Sequence, residues 1–316
     1  MTLIELMVCI AITGVVMTIA VSLFFTQYKS QHSRKQVIEI QETMPAVVEM
    51  LKTDMRQAGW SVTPSTAFFF EDGGTTGSDR IYVNDSSIID LTRDDVIRFV
   101  ENDHPGCAEI RNDSNEVDRL NLDQADNDFI KGDYHYVLTN NATNAKRVAK
   151  ISDVNGNKLE LNDDANFKLN TGDLVTPAVA YWIEKIDERW VLLRSDRNSI
   201  DDKESLILAE DVVDLQVEYK TKDDKWHCDG GGESCQNSSF NASDVRTVRL
   251  HLVTRSRDKV GRNDSCMPLL ANRTEDGCEL EGCTCGYVYK RFQFEINLEN
   301  MLDEGERCDK YCDQCF

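Results

Sequence analysis

Apolar residues along this chain follow two regimes. From Leu6 to Phe25 no residue carries a charge, and LMVCIAITGVVMTIAVSLFF is apolar around its whole circumference. Twenty residues at about 1.5 Å each give about 30 Å of helix, the thickness of a bilayer's hydrocarbon core. A removed signal peptide has a positive leading region, a shorter apolar stretch and a small-residue cleavage site. None of these is present, so a membrane helix is the expectation. Beyond Phe25 the apolar positions become periodic. Val37, Ile40, Met44, Val47, Leu51, Met55 and Ala58 recur at threes and fours, one stripe of an amphipathic helix, with Lys35, Glu39, Glu42, Glu49 and Lys52 elsewhere around it. Gly59 offers a C-terminal stop. The pattern predicts a single helix of about 55 residues, ~80 Å long, that begins in lipid and ends against a soluble domain. Pro45 is expected to kink it or loosen one turn.

After Trp60 the period changes from three and four to two. Alternating runs at Val179–Ile183, Trp190–Arg194, Val213–Tyr219, Val248–Val253 and Phe292–Leu298 predict strands, and Phe292, Phe294, Ile296 and Leu298 share one face. Val154-Asn155-Gly156-Asn157, between Lys150-Ile151 and Leu159-Glu160-Leu161, predicts a hairpin through Asn-Gly. An antiparallel sheet packed on the C-terminal half of the long helix covers both apolar surfaces, so the expected fold class is α+β. The expected organisation is a transmembrane half-helix over 1–25, its amphipathic continuation over 26–59, a β-rich head over 60–300 and a cysteine-rich tail over 301–316.

Charge sharpens that division. The first 60 residues hold five basic and five acidic groups, so the whole net charge of −21 lies in the remaining 256 residues. A head this acidic repels phosphate backbones and excludes a broad nucleic-acid-binding surface. Lys29, Arg34 and Lys35 flank the apolar run on its C-terminal side, where the positive-inside tendency would place cytoplasm. The cysteines point the other way. Cys9 lies in the apolar run as a small filler, which leaves ten outside it: Cys107, Cys228, Cys235, Cys266, Cys278, Cys283, Cys285, Cys308, Cys312 and Cys315. An even number in a translocated domain reads as up to five disulfides of open connectivity. The rival reading is a thiolate metal site at 278–285 or 308–315, although neither is a pair of C-x2-C knuckles. Asp123, Asp126 and Asp128 invite calcium, as do Asp153 to Asn157 with Asp163-Asp164. A solvated acidic surface accounts for both groups without a cofactor.

Catalysis finds no support in the motifs. His32, His104, His135, His227 and His251 form no H-E-x-x-H, and neither a G-x-S-x-G nor a phosphate-binding glycine loop occurs. The aromatic residues read as sheet faces rather than a continuous conducting ladder.

Glu5 stands out instead. A carboxylate near the start of a hydrophobic helix costs at least ~2.5 kcal/mol at bilayer depth. It either snorkels to the headgroups or is neutralised by a cation inside the apolar layer, and no Lys or Arg precedes position 29. The α-amino group of Met1 in a neighbouring copy supplies such a cation, and a buried ion pair there sets axial register between helices. Met1-Thr2-Leu3-Ile4-Glu5-Leu6, followed by an uncharged run with Gly14, resembles the mature N-terminus of type IV pilins and of type II secretion pseudopilins. The resemblance implies a basic leader cut after Gly by a prepilin peptidase, N-methylation at Met1, and an assembly role for Glu5. The chain begins at Met1, either as the mature end or as an initiator. It departs from the family in having Met1 where Phe is usual, and Ser22 where major pilins carry Pro.

WVLLRSDRNSIDDKESLILAEDVVDLQVEYK (190–220), then VRTVRLHLVTRSRD (245–258) and the strand from Arg291 to Leu298, resemble the body of PilW-type minor pilins and of the related J-type minor pseudopilin. This implies a filament subunit at or near the tip that helps start assembly, with other pilins or pseudopilins, the prepilin peptidase and the inner membrane as partners. The head would be periplasmic before assembly, and afterwards in an extracellular pilus or a periplasmic pseudopilus. A secretion pseudopilin, a major pilus subunit and a membrane-anchored extracytoplasmic binding protein remain as alternatives.

Overall fold

The computed structural model describes residues 3–59, 64–71, 73, 77–84, 108–109, 119–121, 134–140, 143, 145–155, 158–161, 174–195, 205–228, 242–258, 287–298 and 301. Helix α1 spans Leu3–Arg56, 54 residues, which is about 81 Å at helical rise. It continues through Pro45 without a break in helical assignment. Its last turn tightens, with Ala58 N–H donating to the Met55 carbonyl (3.2 Å). Gly59 then takes a φ of 82°, a left-handed conformation that glycine adopts without a Cβ clash, and its N–H donates to Asn84 Oδ1 (2.9 Å).

The strands are β1 (Phe68–Glu71), β2 (Arg80–Asn84), β3 (Ala108–Glu109), β4 (Arg119–Asn121), β5 (His135–Thr139), β6 (Lys146–Asn155), β7 (Lys158–Leu161), β8 (Leu174–Ile186), β9 (Arg189–Ser195), β10 (Leu206–Glu210), β11 (Val212–Thr221), β12 (Trp226–Cys228), β13 (Val245–Arg255) and β14 (Tyr289–Asn297). The five strands expected from alternation appear as β8, β9, β11, β13 and β14; the first four extend beyond their alternating runs at both ends, while β14 starts earlier than Phe292 and stops one residue short of Leu298. The expected hairpin forms between β6 and β7, but Asn155 pairs with Lys158 and so belongs to the strand, which leaves 156 and 157, rather than Asn155-Gly156, between the strands.

Among the described residues these strands form two antiparallel sheets. The larger is organised on β8. One edge of β8 takes β5 at 174–178 and β9 at 180–186; the other takes β3 at 174–175 and β2 at 178–181. The smaller sheet runs β12-β11-β13-β14. The chain crosses from one sheet to the other at a single residue, Asp211, whose φ of 59° makes the corner. Its N–H donates to the Trp190 carbonyl (2.7 Å) and its carbonyl accepts from Arg255 N–H (2.9 Å), so it is bonded to both sheets. Burial pushes the Asp211 carboxyl above its usual range.

A second tie joins the sheets. Asp79, just before β2, donates its N–H to the Leu215 carbonyl (2.9 Å) and accepts from Val217 N–H at Oδ2 (2.7 Å) and from Gly73 N–H at Oδ1 (3.2 Å). A Cβ on Gly73 would sit 2.3 Å from the Ser78 carbonyl oxygen, so this loop closes only with glycine there.

The main core lies between the C-terminal half of α1 and both sheets. Met44, Val47, Leu51 and Met55 from the helix, with Ala58 from the turn after it, are buried with Phe68, Ile81, Tyr181, Leu192, Leu215, Leu250 and Ile296, while Phe292 and Phe294 cover the flank. The α+β arrangement follows from the two periods. A 3.6-residue stripe meets sheet faces of period 2, and each removes the other's apolar surface from water.

Candidate functional site

The helix divides sharply into covered and uncovered parts. From Leu3 to His32 it is long and apolar enough to cross a bilayer, and none of its most apolar stretch is buried. Leu3, Ile4, Met7, Ile10, Val15, Met17, Phe24 and Tyr28 are all more than half exposed. A soluble domain rarely leaves so much contiguous apolar surface, so this half requires lipid or other helices around it. Its hydroxyls do not break the apolar surface. Thr13 and Thr18 donate back to the carbonyls of Cys9 and Gly14, four residues earlier (2.8 and 2.9 Å), as Thr26 does to Ser22 (2.9 Å).

Glu5 lies in the first turn of α1, exposed on this uncovered half. A carboxylate there favours the positive end of the helix dipole. Met1 lies outside the described residues, so the proposed partner of Glu5 does too. Of the apolar stripe, Met44, Val47, Leu51 and Met55 are buried in the chain's own head. Val37 and Ile40 lie within the helix, but their side chains are outside the described set. The apolar surface that the helix leaves uncovered is therefore its N-terminal half. The stripe itself fixes the head to the helix.

Polar contacts reinforce that fixation where the helix ends. Arg194, on β9, donates from Nε and Nη2 to Asp54 Oδ2 (3.1 and 3.0 Å), and its Nε also donates to the Tyr181 hydroxyl (3.0 Å). Tyr181, on β8, in turn donates to the same Asp54 oxygen. The Arg194 and Asp54 side chains are 15% and 17% exposed, so the pair is shielded and worth more than a surface contact. Burial first, then the nearby Asp54 carboxylate, raises the Tyr181 phenol so that it stays protonated and donating. Lower on the helix, His32 Nε2 lies 3.7 Å from Asp258 Oδ2, just past β13.

A second polar cluster spans the outer face of the smaller sheet. Arg249 donates to Glu218 Oε2 (2.8 Å) and doubly to Glu295 Oε1 (2.9 and 2.7 Å), with its guanidinium 3.8 Å from the Trp226 ring centroid. His251, buried between strands, places Nε2 3.3 Å from Glu218, and Arg291 reaches its Nδ1 at 2.7 Å. Because an arginine only donates, His251 accepts at Nδ1 and carries its proton at Nε2. The His251 contact, then Arg249, holds the Glu218 carboxyl down to about 2 against the opposing effect of burial. This cluster stitches β11, β13 and β14 together. It presents no nucleophile beside a base.

The remaining expected sites fall elsewhere. Cys9 is a free thiol exposed on the helix. Cys228 ends β12, with its side chain outside the described set, and Cys107, Cys235, Cys266, Cys278, Cys283, Cys285, Cys308, Cys312 and Cys315 lie outside the described residues, as do Asp123, Asp126 and Asp128. Among the described residues no group of three or more His, Cys, Asp or Glu is placed to hold a metal ion. Sequence reasoning missed the Asp54–Arg194–Tyr181 cluster, because its members are separated by 127 and 140 positions and lie in no motif.

No family model matches the chain, and no curated protein matches it. Among solved structures, a type IV-like pilin from Thermus thermophilus (TTHA1219) is similar at 12% identity, over 55% of this chain and 87% of that one, with a TM-score of 0.25.

Proposed function

We propose that this chain is a minor pilin of the PilW type, a structural subunit at or near the tip of a type IV filament that helps start assembly. The observation that supports this reading most is the placement of Glu5. One acid sits in the first turn of a helix whose next twenty residues are uncharged and uncovered, while the same helix's other half is locked into an acidic head. Uncovered apolar surface drives the helix first into the membrane and then against sister helices. Within that apolar layer, the Glu5 carboxylate seeks a cation, and the amino group of a neighbour's Met1 sets the axial stagger. The role is structural rather than catalytic, the head lies outside the cytoplasm, and its ten cysteines pair as disulfides.

Two experiments test this. The gene is expected to encode a short basic leader ending in Gly immediately before Met1, for a prepilin peptidase to remove; a start codon at Met1 overturns the reading. Glu5→Ala is expected to abolish incorporation into filaments while the head keeps its fold by near-ultraviolet circular dichroism. Unchanged assembly refutes the register role.

A further inference from the structure

We propose that Lys29, Arg34 and Lys35 form a collar that binds anionic phospholipid headgroups of the leaflet on the head's side, fixing how deep the helix sits. The inference rests on the membrane reading of Leu3–His32. It accounts for the three cations that run against the positive-inside tendency.

Three observations carry it. The helix holds no acidic residue between Glu5 and Glu39, so this stretch has a net charge of +3 beneath a head that carries the chain's whole −21. All three side chains are exposed, and among the described residues neither Lys29 nor Arg34 has an ion-pair partner. The ion pair between the head and this part of the helix is made by His32 with Asp258 and involves neither Lys29 nor Arg34.

Geometry then selects the partner. At about 100° per residue, Arg34 and Lys35 stand roughly 140° and 240° around the helix from Lys29. Such a ring faces every direction, which suits a surrounding headgroup plane; a protein docking from one side would meet a stripe. Depth agrees. Lys29 lies about 6 Å above Phe25 and Lys35 about 15 Å, against a headgroup layer of roughly 5–7 Å on each side of the hydrocarbon core. Side chains on a helix lean toward its N-terminus, here toward the bilayer, so the two upper cations reach back down along flexible stems. Tyr28, beside Lys29 and more than half exposed, takes the interfacial position that amphipathic rings prefer.

The test uses the full chain reconstituted in phosphatidylcholine bilayers doped with spin-labelled phosphatidylglycerol or spin-labelled phosphatidylcholine. Electron paramagnetic resonance reads the motionally restricted lipid at the protein surface. The expected result is a phosphatidylglycerol preference of about five-fold or more, falling with added salt. It should be lost in Lys29→Gln/Arg34→Gln/Lys35→Gln, which leaves the uncharged span and the head core untouched. Equal restriction of both lipids by the unaltered chain overturns the collar while leaving the membrane anchor intact. No restricted lipid of either kind overturns both. A preference that persists in the triple variant also defeats the proposal, since it places the anionic contact elsewhere.

Discussion

Removing the Arg194 guanidinium tests how the head grips its helix. In Arg194→Met the apolar stem is kept and both charge-assisted bonds to Asp54, at 3.1 and 3.0 Å, are lost. Bonds to charged partners contribute about 1.5–3 kcal/mol each, and removing one partner of a fully buried pair costs about 3–5 kcal/mol. Here the two bonds converge on one oxygen, the side chains are 15% and 17% exposed, and Asp54 keeps its donor from Tyr181, so water and the phenol recover part of the loss. The expected destabilisation is therefore about 2 kcal/mol, with Tyr181→Phe costing about 1 kcal/mol. The assay is a double-mutant cycle with Asp54→Asn on the full chain in detergent, reading denaturant unfolding by near-ultraviolet circular dichroism. Hydrogen exchange along 44–56 is followed in the same samples. A coupling energy of about 1–2 kcal/mol, with faster exchange confined to the end of α1, is expected. A coupling below about 0.5 kcal/mol would show that apolar packing alone holds the helix, and the polar tie would be refuted.

Other outcomes follow from the same contacts. Leu51, fully buried in the main core, is expected to cost about 2–5 kcal/mol on replacement by Ala, measured by the same unfolding, from the lost transfer of its side chain and the cavity left behind. Glu218, held down to about 2 from 4.5, stabilises the head fully above pH 4.5 and loses that contribution as pH falls toward 2; Glu218→Gln should flatten this limb of the stability profile by up to about 3 kcal/mol. Lys146, whose ammonium donates to the Phe68 carbonyl (3.0 Å), is pushed by burial down to about 7. Between pH 7 and 10.5 the unfolded chain binds the extra proton, so stability should rise with pH across that window, and Lys146→Met should remove the rise. Mass spectrometry of the unreduced chain should show up to ten fewer hydrogens than the free-thiol mass, and ten alkylatable thiols in the head would defeat the disulfide framework.

Legibility in the sequence tracked locality. Helix α1 could be read to within a few residues because its apolar run, its stripe and Gly59 are all signals within the segment itself. Strands β11 and β14 were visible because one face is more buried than the other, which imposes alternation, whereas β9 and β13, buried on both faces over 191–193 and 250–255, showed through their apolar residues. Strand β8 was only half seen: its first part, 174–178, is sandwiched between neighbours on both edges and carries Pro177 and Thr176, which interrupt the apolar pattern. Strand β10 passed as a Leu-rich segment because its register slips between Ile207 and Ala209, breaking the period of two. The corner at Asp211 was invisible, since a single aspartate at positive φ looks like any surface acid. Asp54 was hidden in the same way, as one of five balanced acids on the helix, and only the fold brings Arg194 to it.

The most direct measurement is a distance in the assembled filament. With Met1 nitrogen labelled in one population of subunits and the Glu5 carboxyl carbon in another, solid-state nuclear magnetic resonance reports whether the two meet between copies. The expected result is a recoupled contact of about 4 Å, the separation of an ion pair. A Glu5 carboxyl that exchanges freely with solvent and shows no intermolecular nitrogen would contradict the assembly mechanism from its first turn onward.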